Sequence, residues 1–170
     1  MKKKLILIVF LAYNTLMFSQ EKDSLLVGEW KVICIETHNY YYNSITDSLS
    51  YSKEFKKMLP DLIKSNSFGF KNIEDFNEQA KKEISNDKFI FEENEVYLRK
   101  KDDKIISEAN YKIDTSKKTI LFKDKNKPEY TMEYSIEKEF LHLTRNYKGG
   151  IKTKSKTIYL KPTIFILKRI

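Results

Sequence analysis

The sequence is poor in the residues that most often carry catalysis, metal binding or covalent cross-links. It has a single cysteine, Cys34, so no disulfide can form within the chain. His38 and His142 are its two histidines, which leaves little material for a histidine-rich metal site. It also lacks a glycine-rich phosphate loop, a Gly-x-Ser-x-Gly turn and a Cys-x-x-Cys pair. We therefore expect no enzyme, no cofactor and no metal site.

Charge and hydrophobicity limit the class of protein further. Hydrophobic residues make up 41% of the 170 residues, which is enough for one hydrophobic core. Charged residues make up 33%, which argues against a membrane-embedded chain. The formal net charge is +8, but the lysines are spread over predicted turns and strand faces and form no single basic tract. We therefore expect no nucleic-acid binding.

The N-terminus has the pattern of an export signal. A basic stretch, Lys2–Lys4, precedes an apolar run, Leu5–Ala12, that is too short to cross a bilayer comfortably. A cleavage site is predicted near Ser19/Gln20, so that residues 1–20 form a signal peptide. We expect an exported protein, periplasmic or secreted, that does not span the membrane.

Residues 21–170 are predicted to form a single domain made mainly of β-strands. After a long first strand, Leu26–His38, the pattern is interrupted, and from Asp87 onward turn signals recur roughly every nine to thirteen residues. This spacing allows hairpins but leaves no room for crossover helices, so neighbouring strands should be antiparallel. The sequence predicts an antiparallel up-and-down β-barrel of eight to ten strands.

Two amphipathic helices are predicted at about residues 46–85, as an insertion between strands 1 and 2. Apolar residues from Phe55 to Ile63 recur at helical spacing, although Pro60 should break or restart that helix. Asn72 is the predicted N-cap of the second helix, which carries its own apolar stripe. Because neither helix has a separate core, both should lie on the barrel.

The first strand is predicted to place Trp30, Val32, Cys34 and Glu36 on one face. Cys34 is then a buried, unreactive thiol, because nothing around it predicts the exposed, positively charged setting of a reactive one. Glu36 and His38 share a face, and we interpret them as a polar pair at a strand end.

Alternation on the later strands identifies candidate cavity residues. Leu141 and Leu143 are inward on apolar grounds, and Arg145 and Tyr147 follow them in phase. Together with inward residues of other strands, the candidate ligand-binding set is Cys34, Tyr111, Tyr130, Met132, Tyr134, Arg145, Tyr147 and Tyr159. An inward arginine among tyrosines suits an anionic head group. The alternative is an interior filled by these side chains, with Arg145 paired to Glu36 or in water at the mouth.

Two short motifs resemble those of a known group. Gly28-Glu29-Trp30 near the mature N-terminus and Lys168-Arg169 in the last strand resemble the lipocalin-like domains of exported bacterial proteins, in the calycin superfamily. The resemblance implies a structural closure of the barrel by Gly28, Trp30 and Arg169, with Arg169 packed across the tryptophan. The helices after the first strand are also similar to the helix pair that caps fatty-acid-binding proteins. The implied function is binding of a small hydrophobic or amphipathic molecule.

A second function from another class stays open. A protein-interaction module would have a filled barrel and an exposed recognition surface. The Tyr40–Tyr42 run together with the helix pair is the candidate for such a surface.

Overall fold

The structure is a computed structural model, which describes residues 23–65, 69–125, 127–147, 150–152 and 157–170. The predicted signal peptide, residues 1–20, lies outside the described residues. In chain order the described elements are β1 (Gly28–Glu36), β2 (Tyr40–Asn43), β3 (Ser48–Tyr51), α1 (Lys53–Lys64), α2 (Ile73–Ile84), β4 (Asp87–Phe91), β5 (Val96–Lys101), β6 (Lys104–Asp114), β7 (Thr119–Lys123), β8 (Tyr130–Glu137), β9 (Phe140–Arg145), β10 (Gly150–Lys152), β11 (Thr157–Tyr159) and β12 (Thr163–Arg169).

Eight of the strands form a closed antiparallel barrel. Their order around the wall is β1, β4, β5, β6, β7, β8, β9 and β12, and β12 pairs with β1 to close the circle. Each strand is thus paired with its neighbours in the chain, apart from the inserted segments. The predicted antiparallel up-and-down barrel is confirmed. Strands β2 and β3 extend the sheet beyond β1, and β10 and β11 form a separate hairpin.

The predicted position of the helices, between strands 1 and 2, is wrong. Both helices follow β3, because the chain first makes the β2–β3 hairpin. In its turn the Asn43 side chain accepts hydrogen bonds from two backbone N–H groups, at 2.9 and 3.3 Å. Asp47 takes the left-handed conformation, with φ of 49°. In this hairpin Tyr42 is buried in the core cluster and Tyr40 packs against it, so two of the three tyrosines contribute to packing.

Side-chain caps define where the helices begin. Ser52 accepts a hydrogen bond from the Phe55 backbone N–H at the start of α1, and Asn72 accepts one from the Asp75 backbone N–H at the start of α2. The expectation that Pro60 breaks the first helix is wrong, since α1 continues through it. The missing proline N–H removes one helical hydrogen bond, but the neighbouring Leu59 is buried and holds that turn in place.

The helices are held against the β2–β3 hairpin by aromatic and charged contacts. The rings of Tyr51, Phe55 and Phe76 lie with their centroids 5.7 to 5.9 Å apart. Lys81 of α2 pairs with Asp47 in the hairpin turn at 2.7 Å. This second apolar cluster explains why helices without a core of their own remain ordered beside the barrel.

Trp30 lies where β1 meets the last strand. Its side chain is fully buried, its indole Nε1 donates to the Leu26 carbonyl at 2.8 Å, and Arg169 lies over its ring at 4.5 Å from the centroid. Arg169 also donates to the Leu25 carbonyl. Gly28 has φ of 139°, which a residue with a side chain rarely adopts, and a Cβ there would lie 3.6 Å from Arg169 Nη1.

A β-bulge in β1 overturns the predicted position of Cys34. Val32 pairs with Leu167 of β12, but the next pair is Cys34 with Ile166, so Ile33 is an extra residue. Beyond the bulge Ile35 joins Trp30 and Val32 in the core cluster. Cys34 is buried, with 4% of its surface exposed, but it lies outside that cluster. It therefore does not share the interior face with Trp30.

A second bulge changes the phase at the start of β6. Ser107 pairs with Arg99, but the next pair is Ile105 with Lys100, so Ile106 has no cross-strand partner on β5. Strict alternation along β6 would place Ile105 on the inward face with Ala109 and Tyr111, but the bulge shifts the phase and Ile105 is exposed.

Replacement of Trp30 by alanine should destabilise the domain far more than replacement of Arg169. A fully buried tryptophan leaves a large cavity, and its removal should cost about 3–5 kcal/mol. Arg169→Ala removes a cation–π contact of about 0.5–2 kcal/mol from the rim. Urea unfolding followed by circular dichroism measures both, with exposed Tyr159→Ala as a control. An Arg169→Ala loss equal to that of Trp30→Ala would contradict this ranking.

Candidate functional site

The barrel wall opens between β8 and β9 at the end where β9 finishes. The pairing of these strands runs from Glu137–Phe140 to Glu133–Thr144, and the first residues of β8, Tyr130–Met132, lie beyond it. Arg145 instead continues the pairing of β9 with β12, opposite Thr163. The β8–β9 ladder thus ends before the start of β8. A groove of about 850 Å³ extends from this end of β9 across the outer face of β6, β7 and β8. Its lining residues are Lys112, Ile113, Asp114, Lys117, Thr119, Leu121, Glu129, Tyr130, Thr131, Glu133, Arg145, Asn146 and Tyr147.

Arg145 lies across the opening against two aromatic rings. Its guanidinium carbon is 4.3 Å from the Tyr130 ring centroid and 5.5 Å from that of Tyr147. Tyr130 in turn stacks on Phe122, with centroids 4.9 Å apart and planes 13° from parallel. The Tyr147 hydroxyl is 2.9 Å from the Thr163 hydroxyl. Arg145 therefore covers the outer face of an aromatic stack that continues into the core.

The acidic side chains that line the groove have partners other than Arg145 among the described residues. Asn146 donates to Glu133 across the opening at 2.8 Å, Lys117 pairs with Asp114 at 3.1 Å, and Glu129 pairs with Lys123 at 2.9 Å. Among the ion pairs of the described residues, none includes Arg145. Glu133, Asp114 and Glu129 are thus bonded to Asn146, Lys117 and Lys123, respectively.

The alternative pairing of Arg145 with Glu36 is not formed. Glu36 is exposed at the end of β1, where its backbone lies opposite Ile164 and Tyr41. Arg145 is half-buried at the rim, as the alternative of an arginine at the mouth requires.

Buried Asp87 forms an ion pair with the partly exposed Arg99, and the sequence interpretation did not include this pair. Asp87, with 2% of its surface exposed, accepts from Arg99 Nε at 3.0 Å and from Nη2 at 2.5 Å. Burial opposes the charge of Arg99, but its hydrogen bonds and attraction to Asp87 outweigh this and raise the pKa of Arg99. The signal was present, because Asp87 alternates with Phe89 and Phe91, and Arg99 with Tyr97.

Tyrosines and other large side chains occupy the barrel interior. Tyr111 donates to the Glu92 carbonyl at 2.8 Å, and Tyr134 donates to Asp23 Oδ2 at 2.9 Å. Burial raises the pKa of Tyr97, Tyr130 and Tyr134, and raises that of Tyr111 to about 12. These hydroxyls are hydrogen-bonded within the protein or buried among aromatic rings. We therefore assign these tyrosines to the packing of the core.

The structure divides the predicted site residues into three groups. Tyr130, Arg145 and Tyr147 come together at the opening. Tyr111, Met132 and Tyr134 are buried in the core cluster. The remaining two lie apart from the groove: Cys34 outside the core cluster and Tyr159 on β11, with 73% of its surface exposed.

Within the described part of the chain, histidine, cysteine and acidic side chains form no group of three or more that could hold a metal ion. Among the described helices, none is both long and apolar enough to cross a bilayer.

The fold and the opening define the class of protein: a closed eight-stranded antiparallel barrel with a packed interior and a groove at its rim. No family model matches the chain, and neither a curated protein nor a solved structure matches it. The chain's own geometry therefore carries the functional argument.

The interior tyrosines predict an alkaline loss of stability. Their pKa values are raised in the folded protein, so the folded state retains protons that the unfolded state releases above pH about 10. Stability should therefore be insensitive to these groups below pH about 10 and fall as the pH rises above it. Tyr111→Phe should make the fall shallower. Urea midpoints across this range, with tyrosinate absorbance, measure both effects, and a stability that rises above pH 10 would contradict them.

Proposed function

We propose that this protein is a non-enzymatic, exported, lipocalin-like binding barrel that holds a small amphipathic anion at the β8–β9 opening. The observation that carries the proposal is Arg145, a cation stacked on Tyr130 at the rim of the groove with no ion pair among the described residues. A guanidinium keeps its charge at any ordinary pH and presents several donors in one plane. A carboxylate or similar head group suits that arrangement.

The packed interior decides where the apolar part of such a ligand lies. Phe122 and Met132 are buried below the opening, so a long chain has little room inside the barrel. The lining of the groove includes the apolar side chains of Leu121 and Ile113, and the Tyr147 ring lies beside Arg145. We propose that the head group contacts Arg145 and that the apolar tail lies along this groove. This differs from a ligand enclosed in the barrel, the arrangement expected from the sequence.

The packed interior also favours the second candidate, a protein-interaction module. The recognition surface suggested for this module was the Tyr40–Tyr42 run with the helix pair. Tyr42 is buried and Tyr40 packs against the core, so little of this run is exposed for a partner. In the helix pair, Phe55 and Phe76 pack against Tyr51 of the hairpin. Ligand binding at the groove therefore remains the better-supported function.

Binding of a medium-chain fatty acid should depend on both its charge and Arg145. Loss of a charge-assisted hydrogen bond of about 1.5–3 kcal/mol should weaken binding roughly 10- to 150-fold in Arg145→Ala. Arg145→Lys keeps the positive charge but lacks the planar guanidinium, so its affinity should lie between those of the wild type and Arg145→Ala. Displacement of an environment-sensitive fatty-acid probe by decanoate measures the affinities.

The matched controls are Lys138→Ala, in the β8–β9 turn away from the groove, and decanol, which has the tail without the charge. Lys138→Ala should bind decanoate like the wild type, and decanol should bind weakly to every variant. Equal decanoate binding by wild type and Arg145→Ala would remove the proposed anchor and favour the interaction module.

A further inference from the structure

The Asp87–Arg99 ion pair lies at the same end of the barrel as Arg145, an end that we call the mouth. Neighbouring strands of the wall are antiparallel, so β4 begins at the end where β5 and β9 finish. Asp87 is the first residue of β4, Arg99 lies near the end of β5, and Arg145 is the last residue of β9. The strands β5 and β9 are four places apart in the circle of eight, so the two arginines lie on opposite sides of the mouth.

Both arginines belong to the interior face of the wall. Arg99 alternates with the buried Tyr97, and Arg145 alternates with the buried Leu143. A continuous set of aromatic rings, each 4.9 to 5.6 Å from the next, leads from one arginine to the other: Phe89, Tyr97, Phe122 and Tyr130. Arg99 lies over the first ring, at 5.4 Å from its centroid, and Arg145 over the last, at 4.3 Å.

The charges of both arginines reach Tyr130. Burial raises the pKa of the Tyr130 hydroxyl, and the positive charges that oppose this effect include Arg145 and Arg99. A charge released on Arg99 would therefore act on the same place in the mouth that the Arg145 guanidinium occupies.

Asp87 compensates one of these two positive charges. Its carboxylate accepts from Arg99 Nε at 3.0 Å and from Nη2 at 2.5 Å, which makes the pair bidentate. The Asp87 side chain is 2% exposed, so its charge depends on this partner, while the Arg99 side chain is 35% exposed. An anion can therefore contact Arg145 without displacing a bonded carboxylate, but it cannot take Arg99 without competing with Asp87.

We propose that Asp87 determines the charge of the head group that this site accepts. The inference rests on the proposed binding of an anion at Arg145. With Arg99 compensated by Asp87, the mouth offers one guanidinium to the ligand, and the second charge of a dianion would lose its hydration without gaining a partner. The site therefore favours a singly charged head group, such as a carboxylate, over a doubly charged one, such as a phosphate monoester.

Competition between decanoate and decyl phosphate for the fatty-acid probe tests this selectivity. At pH about 8 the phosphate carries about two negative charges. The wild type should bind decanoate more tightly than decyl phosphate. Asp87→Asn should raise the affinity for decanoate about 5-fold and that for decyl phosphate about 25-fold, because the released charge of Arg99 attracts each ligand charge separately.

The control variants separate the effect of charge from damage to the fold. Glu139→Gln removes an acid from an ion pair with Lys168 in the β8–β9 turn, at the other end of the barrel, and should leave both affinities unchanged. The double variant Asp87→Asn, Arg99→Met removes both members of the pair and should restore the selectivity of the wild type. In ligand-free Asp87→Asn the pKa of Tyr130, followed by NMR of labelled tyrosine, should fall.

The outcomes distinguish this inference from the function on which it rests. A wild type that binds neither compound would refute anion binding at the site and the inference with it. A wild type that binds decanoate but prefers decyl phosphate, or an Asp87→Asn variant with the selectivity of the wild type, would overturn the role of Asp87 alone. The wild-type comparison needs no substitution, so it decides the question even if Asp87→Asn does not fold.

Discussion

The closure of the barrel depends on how β1 divides its two edges among three partner strands. Its first half pairs with β4, its length from Trp30 to Glu36 pairs with β12, and its last residues pair with β2. The bulge at Ile33 turns the strand between these partners. Trp30 lies at the point where the β4 and β12 pairings overlap, and its burial under Arg169 fixes that junction. Both inserted segments, the hairpin with its helices and the β10–β11 hairpin, are attached to strands placed by this closure.

A closed barrel of eight strands has an interior that side chains can fill, and here aromatic rings fill it. One consequence is that the interior leaves little room for a ligand. Strand β7 pairs with only the second half of β6, and β9 pairs with β8 only as far as Glu133, so the ladder is incomplete at both places. The groove beside β9 presents Arg145 over the Tyr130 ring, which is the feature on which the proposed binding of an anion rests.

Much of the fold could be predicted from the sequence because alternation survives wherever the ladder is regular. The alternation of inward and outward residues predicts that Tyr130, Arg145 and Tyr147 face the same site. In the structure Arg145 lies against both tyrosine rings. Alternation does not hold at Cys34 and Ile105, since each lies next to a bulge that shifts the phase by one residue, and the predicted inward position of Cys34 is wrong for this reason. Neither bulge contains a glycine or proline that would mark it. The place where two strands part depends on their relative lengths, which turn signals locate only to within a few residues.

The most direct test is an NMR titration of the isotopically labelled protein with decanoate. The groove hypothesis predicts saturable shifts that are largest at Arg145, Tyr130 and Tyr147, together with an unchanged indole N–H signal of Trp30. Shifts centred on Trp30 and the core residue Leu167 would place the ligand inside the barrel. That result, or the absence of any saturable shift, would contradict binding at the β8–β9 opening.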